Sequence, residues 1–274
     1  MRKLVLLLLF LTPFHLMAQA NQLGNPIAEI ELELLDLVSF DTKDNLFISN
    51  TSGDIYQFDR FGKKTNLFSP ARQGKLNQLE AAWTVNIFSF SADLQEYRIL
   101  DRFLNPLAEN NFLLADVNLV KAATLGNNNI VWVWDESDLN IKSLDYRRNL
   151  IIQSQPLNLI LNSNDLEVLE IREFNNRLFM NIQNEGIFIF DNQGNLIQKI
   201  KLVLNQNMCF YNENLLWIQD GFLMGISIKS QVISKIAPIE SLEPIAIQIG
   251  QDRMILIQKD KALLYEVPKW IKML

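Results

Sequence analysis

A period of about 42–46 residues constrains this chain more than any other feature. One unit recurs six times, at residues 44–68, 85–108, 128–152, 176–200, 214–236 and 253–267. In each copy a polar turn leads into a short apolar strand, a second polar turn and then an alternating strand. Four of those strands end on an aspartate, at Asp59, Asp101, Asp145 and Asp191, separated by 42, 44 and 46 residues. The residues after position 20 divide into six units of about 42, the length of one four-stranded propeller blade. Within a copy the pattern has period 2: Ile55, Gln57 and Asp59 alternate with Tyr56 and Phe58. Ile187-Phe188-Ile189-Phe190 is apolar on both faces, as a sheet stacked between sheets requires. No segment carries a convincing helical stripe, and 158–171 has room for one turn of helix in a loop.

Each copy follows a segment that reads as an innermost strand: 35–41, 79–85, 119–125, 167–173, 206–211 and 244–249. The sixth copy lacks a clear fourth strand before the chain passes Pro268. Residues 27–34 (IAEIELEL) alternate strictly and supply a candidate. Pairing them with 262–267 would close a ring and remove an exposed edge. The expected fold is all-β, a six-bladed β-propeller of four-stranded antiparallel blades, its ring closed by the N-terminal strand joining the last blade.

Residues 1–20 read as a signal peptide. Arg2 and Lys3 precede the apolar run 4–11, and Ala18-Gln19-Ala20 fits small-x-small cleavage. The run is too short for a convincing membrane span, and no later stretch approaches one. The expected product is a single propeller domain over 21–274, exported to the periplasm or secreted. The many asparagines and the short signal suit a bacterium. Removing 1–20 leaves 23 basic and 31 acidic residues, and no basic patch invites nucleic acid. The sole cysteine, Cys209, lies beside Met208, Phe210 and Tyr211 and reads as a buried small hydrophobe.

Residues 44–62 and 176–194 resemble the repeat of NHL and TolB-like six-bladed propellers. Asn45-Leu46-Phe47-Ile48 matches its second strand, and Ile55, Phe58, Asp59 and Gly62 match its third strand and turn. Leu178, Phe179, Ile187, Phe190, Asp191 and Gly194 match again. Asn50 replaces the usual aspartate, and the usual arginine before the third strand is absent. The resemblance implies architecture; such propellers serve as enzymes, ligand binders and docking platforms, so fold alone does not assign function.

The only histidine is His15, inside the signal segment. Without imidazole in 21–274, Ser-His-Asp and Cys-His sites, HExxH zinc sites and histidine general bases are excluded. There is no Walker loop and no G-x-G-x-x-G, and no cofactor is expected. Carboxylate chemistry survives. Aligning the inner strands puts Ser39, Glu80, Ala123, Ile171, Met208 and Ile247 in one layer, and Val38, Leu79, Ala122, Glu170, Asn207 and Ala246 in the next. Glu80, Glu170 and Asn207 are therefore the candidate ligands of a channel cation. Asp135-Glu136-Ser137-Asp138 reads as a solvated hairpin tip. Trp132, Trp134 and Trp217 fall at packing positions, whereas Trp83, on an inner strand, is a ligand candidate.

The longest connections, 69–78, 106–118 and 155–166, join an outer strand to the next inner strand and open on one face. Loops on a rigid ring are where function concentrates. Arg72, Lys75, Asn77, Glu80, Trp83, Asp116, Lys121, Asp165 and Glu167 are the candidate ligand- or partner-binding residues. The expectation is an exported, non-catalytic propeller that binds a protein or small ligand of the envelope through that loop-rich face. The alternative is a carboxylate- and divalent-metal-dependent hydrolase or lactonase with its site in the channel. A third is a docking subunit of an envelope complex.

Overall fold

The computed structural model describes residues 21, 23–81, 86–239, 242–259 and 261–274. The signal segment and Trp83 lie outside these. The described strands form six four-stranded antiparallel sheets, the blades expected from the repeat. The first strand, β1 (Ala28–Glu31), belongs to the last blade. Blade 1 comprises β2 (Leu35–Phe40), β3 (Leu46–Asn50), β4 (Ile55–Phe58) and β5 (Lys64–Phe68). Blade 2 comprises β6 (Gln78–Glu80), β7 (Asn86–Ser91), β8 (Glu96–Asp101) and β9 (Pro106–Asn111). Blade 3 comprises β10 (Val120–Leu125), β11 (Ile130–Asp135), β12 (Asn140–Asp145) and β13 (Leu150–Pro156). Blade 4 comprises β14 (Val168–Phe174), β15 (Arg177–Ile182), β16 (Gly186–Phe190) and β17 (Leu196–Ile200). Blade 5 comprises β18 (Cys209–Tyr211), β19 (Asn214–Gln219), β20 (Phe222–Ser227) and β21 (Ile233–Pro238). Blade 6 comprises β22 (Ala246–Ile249), β23 (Arg253–Ile257) and β24 (Lys261–Glu266), with β1 outermost. There Ala28 faces Leu264 and Glu31 faces Lys261.

The hydrophobic core lies between blades. Trp132 and Trp134 of blade 3 pack with Met180 and Phe188 of blade 4. Phe88 and Tyr97 of blade 2 pack with Val131 and Leu144 of blade 3. Ile255 and Leu264 of blade 6 pack with Phe40, Ile48 and Phe58 of blade 1. A middle strand buried on both faces is therefore apolar on both, as β16 is over its whole length. Trp217 is buried as expected. Cys209 is fully buried, and burial pushes its thiol up to about 12.

The strand-ending aspartates build the outer turns. Asp191 Oδ1 accepts the N–H groups of Gln193 and Asn195, both at 2.8 Å, and Oδ2 accepts Asn195 Nδ2 at 3.0 Å. Asp101 repeats this with Phe103 and Asn105, and Asp59 with Phe61 and Lys63. Gly194 and Gly62 supply the positive φ of +74° and +84° that two of these turns require.

In the acidic cluster 135–138, Glu136, Ser137 and Asp138 form the solvated hairpin tip, and Asp135 departs from that reading. Asp135 is fully buried and accepts Lys142 Nζ at 2.6 Å, the Asn118 and Leu119 N–H groups at 3.1 Å, and the Ser137 hydroxyl at 2.6 Å. Burial opposes ionisation, yet these donors outweigh it and hold the carboxyl down at about 2. Short helices occupy connections. One, α1 (Leu157–Leu161), falls at the segment with room for a turn; α2 (Lys269–Lys272) ends the chain. Among the described residues no helix is long and apolar enough to cross a membrane.

Candidate functional site

An inner strand has a ladder partner on one side only, and its other edge leaves backbone groups facing the central channel. Buried backbone groups need partners. Here the side chains of neighbouring inner strands provide them. Ser39 Oγ accepts the Ala81 N–H at 2.9 Å, and Glu80 Oε2 accepts the Leu125 N–H at 3.3 Å. Thr124 Oγ1 accepts the Glu173 N–H at 3.1 Å, and Glu170 Oε2 accepts the Met208 N–H at 2.7 Å. Gln248 Nε2 donates to the Met208 carbonyl at 3.4 Å. Polar residues in otherwise apolar inner strands thus stitch successive blades around the axis.

Two of these side chains are carboxylates deep in the protein. Glu80 and Glu170 are each 7% exposed. Burial raises both, Glu170 to about 7; the Arg172 guanidinium opposes the shift at both, and the Glu80 carboxylate adds to it at Glu170. Gln78 Nε2 donates to Glu80 Oε1 at 2.5 Å. Arg172 is 6% exposed, and its Nη1 stands 3.9 Å from Glu170 Oε1, which accepts no hydrogen bond. Among the described residues the Arg172 guanidinium makes no hydrogen bond.

Arg172 also lines a bowl of about 460 Å³ at the channel mouth. The bowl is built by the C-terminal ends of β2, β14, β18 and β22, where the inner strands turn into the second strands. Ser39 and Gln248 line it with Arg172, and Phe174, Phe210 and Tyr211 form an aromatic side. The Phe174 and Phe210 rings stack with centroids 4.4 Å apart and planes 12° off parallel. The acids of the rim are committed elsewhere. Asp41 accepts the Lys43 and Asn45 N–H groups at 2.8 Å, and Glu213 accepts Asn175 Nδ2 at 2.9 Å. Arg172 is therefore the one cation among the described lining residues, and its donors are open. Among these residues nothing pairs a nucleophile with a base.

The residues selected from the sequence fall in three places. Arg72, Lys75, Asn77, Asp116, Lys121, Asp165 and Glu167 precede or begin inner strands, so they stand at the opposite mouth, and all are exposed. Their cations are already paired: Arg72 with Glu96 at 2.6 Å, Lys75 with Asp36 at 3.6 Å and Lys121 with Glu136 at 3.6 Å. Asn77 Oδ1 accepts the Ala92 N–H at 2.8 Å, and Asp116 ends a 3-10 turn with φ +57°. Glu80 lies inside the channel. Trp83 lies outside the described residues.

Of the candidate cation ligands, Glu170 and Asn207 line one recess of about 250 Å³ at that opposite mouth, and Glu80 does not. Among the described residues no group of three or more acidic, cysteine or histidine side chains is placed to hold a metal ion. The cation that acts on both Glu80 and Glu170 is Arg172. Sequence reasoning missed Arg172, Gln248 and Phe210. The layer alignment reached Ile171 and stopped one residue short. A basic side chain set between acids in an inner strand, Glu170-Ile171-Arg172-Glu173, was the available signal.

No family model matches the chain, and no curated protein matches it. Solved structures do match its fold. A structural-genomics protein of unknown function from Bacteroides thetaiotaomicron is 11% identical with a TM-score of 0.62, covering 91% of this chain and 74% of that one. Streptogramin B lyase is 15% identical with a TM-score of 0.58, covering 88% and 87%. The Neurospora crassa Pan2 WD40 domain is 12% identical with a TM-score of 0.60, covering 87% and 82%. At these identities the likeness extends to the propeller architecture alone.

Proposed function

We propose that this protein is a non-catalytic binding propeller, exported to the periplasm or beyond, that holds its ligand at the channel mouth lined by Arg172. The observation that carries this reading is the bowl itself. It is concave, aromatic on one side, of ligand size, and lined by a largely buried cation whose donors make no hydrogen bond among the described residues. The buried carboxylates beneath it are engaged in joining blades, Glu80 to Leu125 and Glu170 to Met208. Residues 1–20 support export. The ion pairs already formed by Arg72, Lys75 and Lys121 favour the bowl over the loop-rich face.

The test is recovery of ligand from protein purified out of its native envelope, by denaturation and mass spectrometry. Wild type should release a compound that Phe210→Asp does not, with unchanged circular dichroism. Equal recovery from both removes the bowl from the function. Turnover of an ester or lactone that Ca²⁺ supports, and that Glu80→Gln or Glu170→Gln abolishes, would install the metal-hydrolase alternative instead. Thermal melting with Ca²⁺ and with EDTA reads the same choice, because an ion bound only by the native state raises the midpoint.

A further inference from the structure

The bowl's chemistry narrows what it can take. Guanidinium is a planar fork whose paired N–H groups match a carboxylate. Arg172 as a residue is 6% exposed, its guanidinium makes no hydrogen bond among the described residues, and it lines the cavity. Its ionic partner Glu170 Oε1 stands at 3.9 Å, beyond hydrogen-bond reach, so an incoming acceptor gains more at this largely buried group than at the surface. Charge sets the valence. Arg172 is the one cation beside two buried carboxylates, Glu80 and Glu170. With Asp41 and Glu213 also on the lining, every added negative charge is opposed, and a monoanion is opposed less than a dianion such as sulfate. The walls set the rest of the ligand. Phe210, partly exposed and backed by Phe174, offers a ring face, with Phe40 and Tyr211 beside it.

We infer that the bowl binds an organic monocarboxylate, its carboxylate forked on Arg172 and its flat apolar body against Phe210 and Tyr211. This rests on the bowl being the binding site.

A linked proton follows. The groups facing Glu170 are Glu80 from β6, Arg172 from its own strand and Cys209 from β18, together with the uncharged Gln78 and the Met208 N–H. An anion on Arg172 takes up part of the positive field that holds the Glu170 carboxylate ionised. Binding therefore draws a proton onto the pair of glutamates, and affinity rises as pH falls through neutrality, by at most about tenfold per pH unit for one proton.

Calorimetry on the full mature chain tests this with four probes: phenylacetate, N-acetylphenylalanine, phenylacetamide and inorganic sulfate. Phenylacetate stands for a free small acid and N-acetylphenylalanine for the carboxy end of a polypeptide; the tighter of the two identifies the source. At least one should saturate, with proton uptake, while the amide and sulfate do not. Arg172→Gln should weaken binding by about ten- to a hundredfold, and Arg172→Lys should weaken it less. Because Arg172→Gln leaves two buried carboxylates without a counter-cation, the double variant Arg172→Gln/Glu170→Gln replaces it if the single one fails to fold. Equal binding of acid and amide, sensitive to Phe210→Ala, overturns the carboxylate and keeps the bowl. Binding unaffected by Phe210→Ala overturns both, and no saturation by either acid at millimolar concentration overturns the carboxylate proposal.

Discussion

Glu170 stores an electrostatic cost in the channel. Its carboxyl is raised from 4.5 to about 7, chiefly by burial. The folded protein holds that proton more tightly than the unfolded chain, so the sign is fixed. The contribution to stability is full below about pH 4.5 and is lost as pH rises to about 7, up to roughly 3 kcal/mol. Glu80 is shifted in the same direction for the same first cause. Glu170→Gln should remove the penalty while keeping an oxygen that can accept the Met208 N–H. Its melting midpoint relative to wild type should therefore climb between pH 5 and pH 8, as measured by calorimetry across that range. A difference that stays flat with pH would mean that Glu170 titrates normally. Asp135 shows the opposite case, a buried carboxylate with enough donors to remain charged. The two differ in their partners: Asp135 has an ammonium at 2.6 Å, whereas the cation nearest Glu170 stands at 3.9 Å.

At the scale of the element, the repeated aspartate is a hairpin device. Its carboxylate takes the place of backbone acceptors that a tight turn leaves out. The Asn195 and Asn105 side chains, ahead of the backbone donors, hold Asp191 and Asp101 below the usual carboxylate range. Stability from these turns is present above about pH 4 and is lost as pH falls through the lowered folded values. Asp191→Ala should cost about 1 kcal/mol in urea unfolding, the net worth of the hydrogen bonds it loses. The same substitution should flatten the acid limb of the stability curve. Gly62 does a second job in its turn: a Cβ there would stand 2.5 Å from the Ala28 Cβ, so the turn of blade 1 seats against β1.

At the scale of the molecule, the last blade is assembled from both ends of the chain. β1 completes the sheet of β22, β23 and β24, with Ile27 N–H on the Leu264 carbonyl at 2.7 Å and Lys261 paired with Glu29. A second seam joins the same blades nearer the bowl. Asp44, 3% exposed, accepts the Gln251 N–H at 2.7 Å and the Asp252 N–H at 3.1 Å, with Arg60 at 3.8 Å. Deleting residues 21–34 should leave β24 as a bare edge, lower the melting midpoint and promote aggregation, read by light scattering. A truncated chain that melts with wild type and stays monodisperse would show that the seam alone holds the ring. The bowl draws lining from blades 1, 4, 5 and 6, so loosening this junction should also weaken whatever binds there.

The sequence by itself determined the architecture, because a propeller repeats one local pattern. Alternation, a turn aspartate and a fixed period are all short-range features, and Asp59, Asp101, Asp145 and Asp191 announce them. It also narrows the chemistry open to residues 21–274, where no histidine occurs in any fold. The tertiary structure decided the site. Arg172, Gln248 and Phe210 come from three different blades and meet only because the ring brings their strand ends together. The neighbours of Arg172 give a local hint of it, and those of Gln248 and Phe210 carry no sign of that meeting. Whether a carboxylate is a ligand, a stitch between strands or a surface charge depends on what faces it across the channel, and that is a property of closure, not of period.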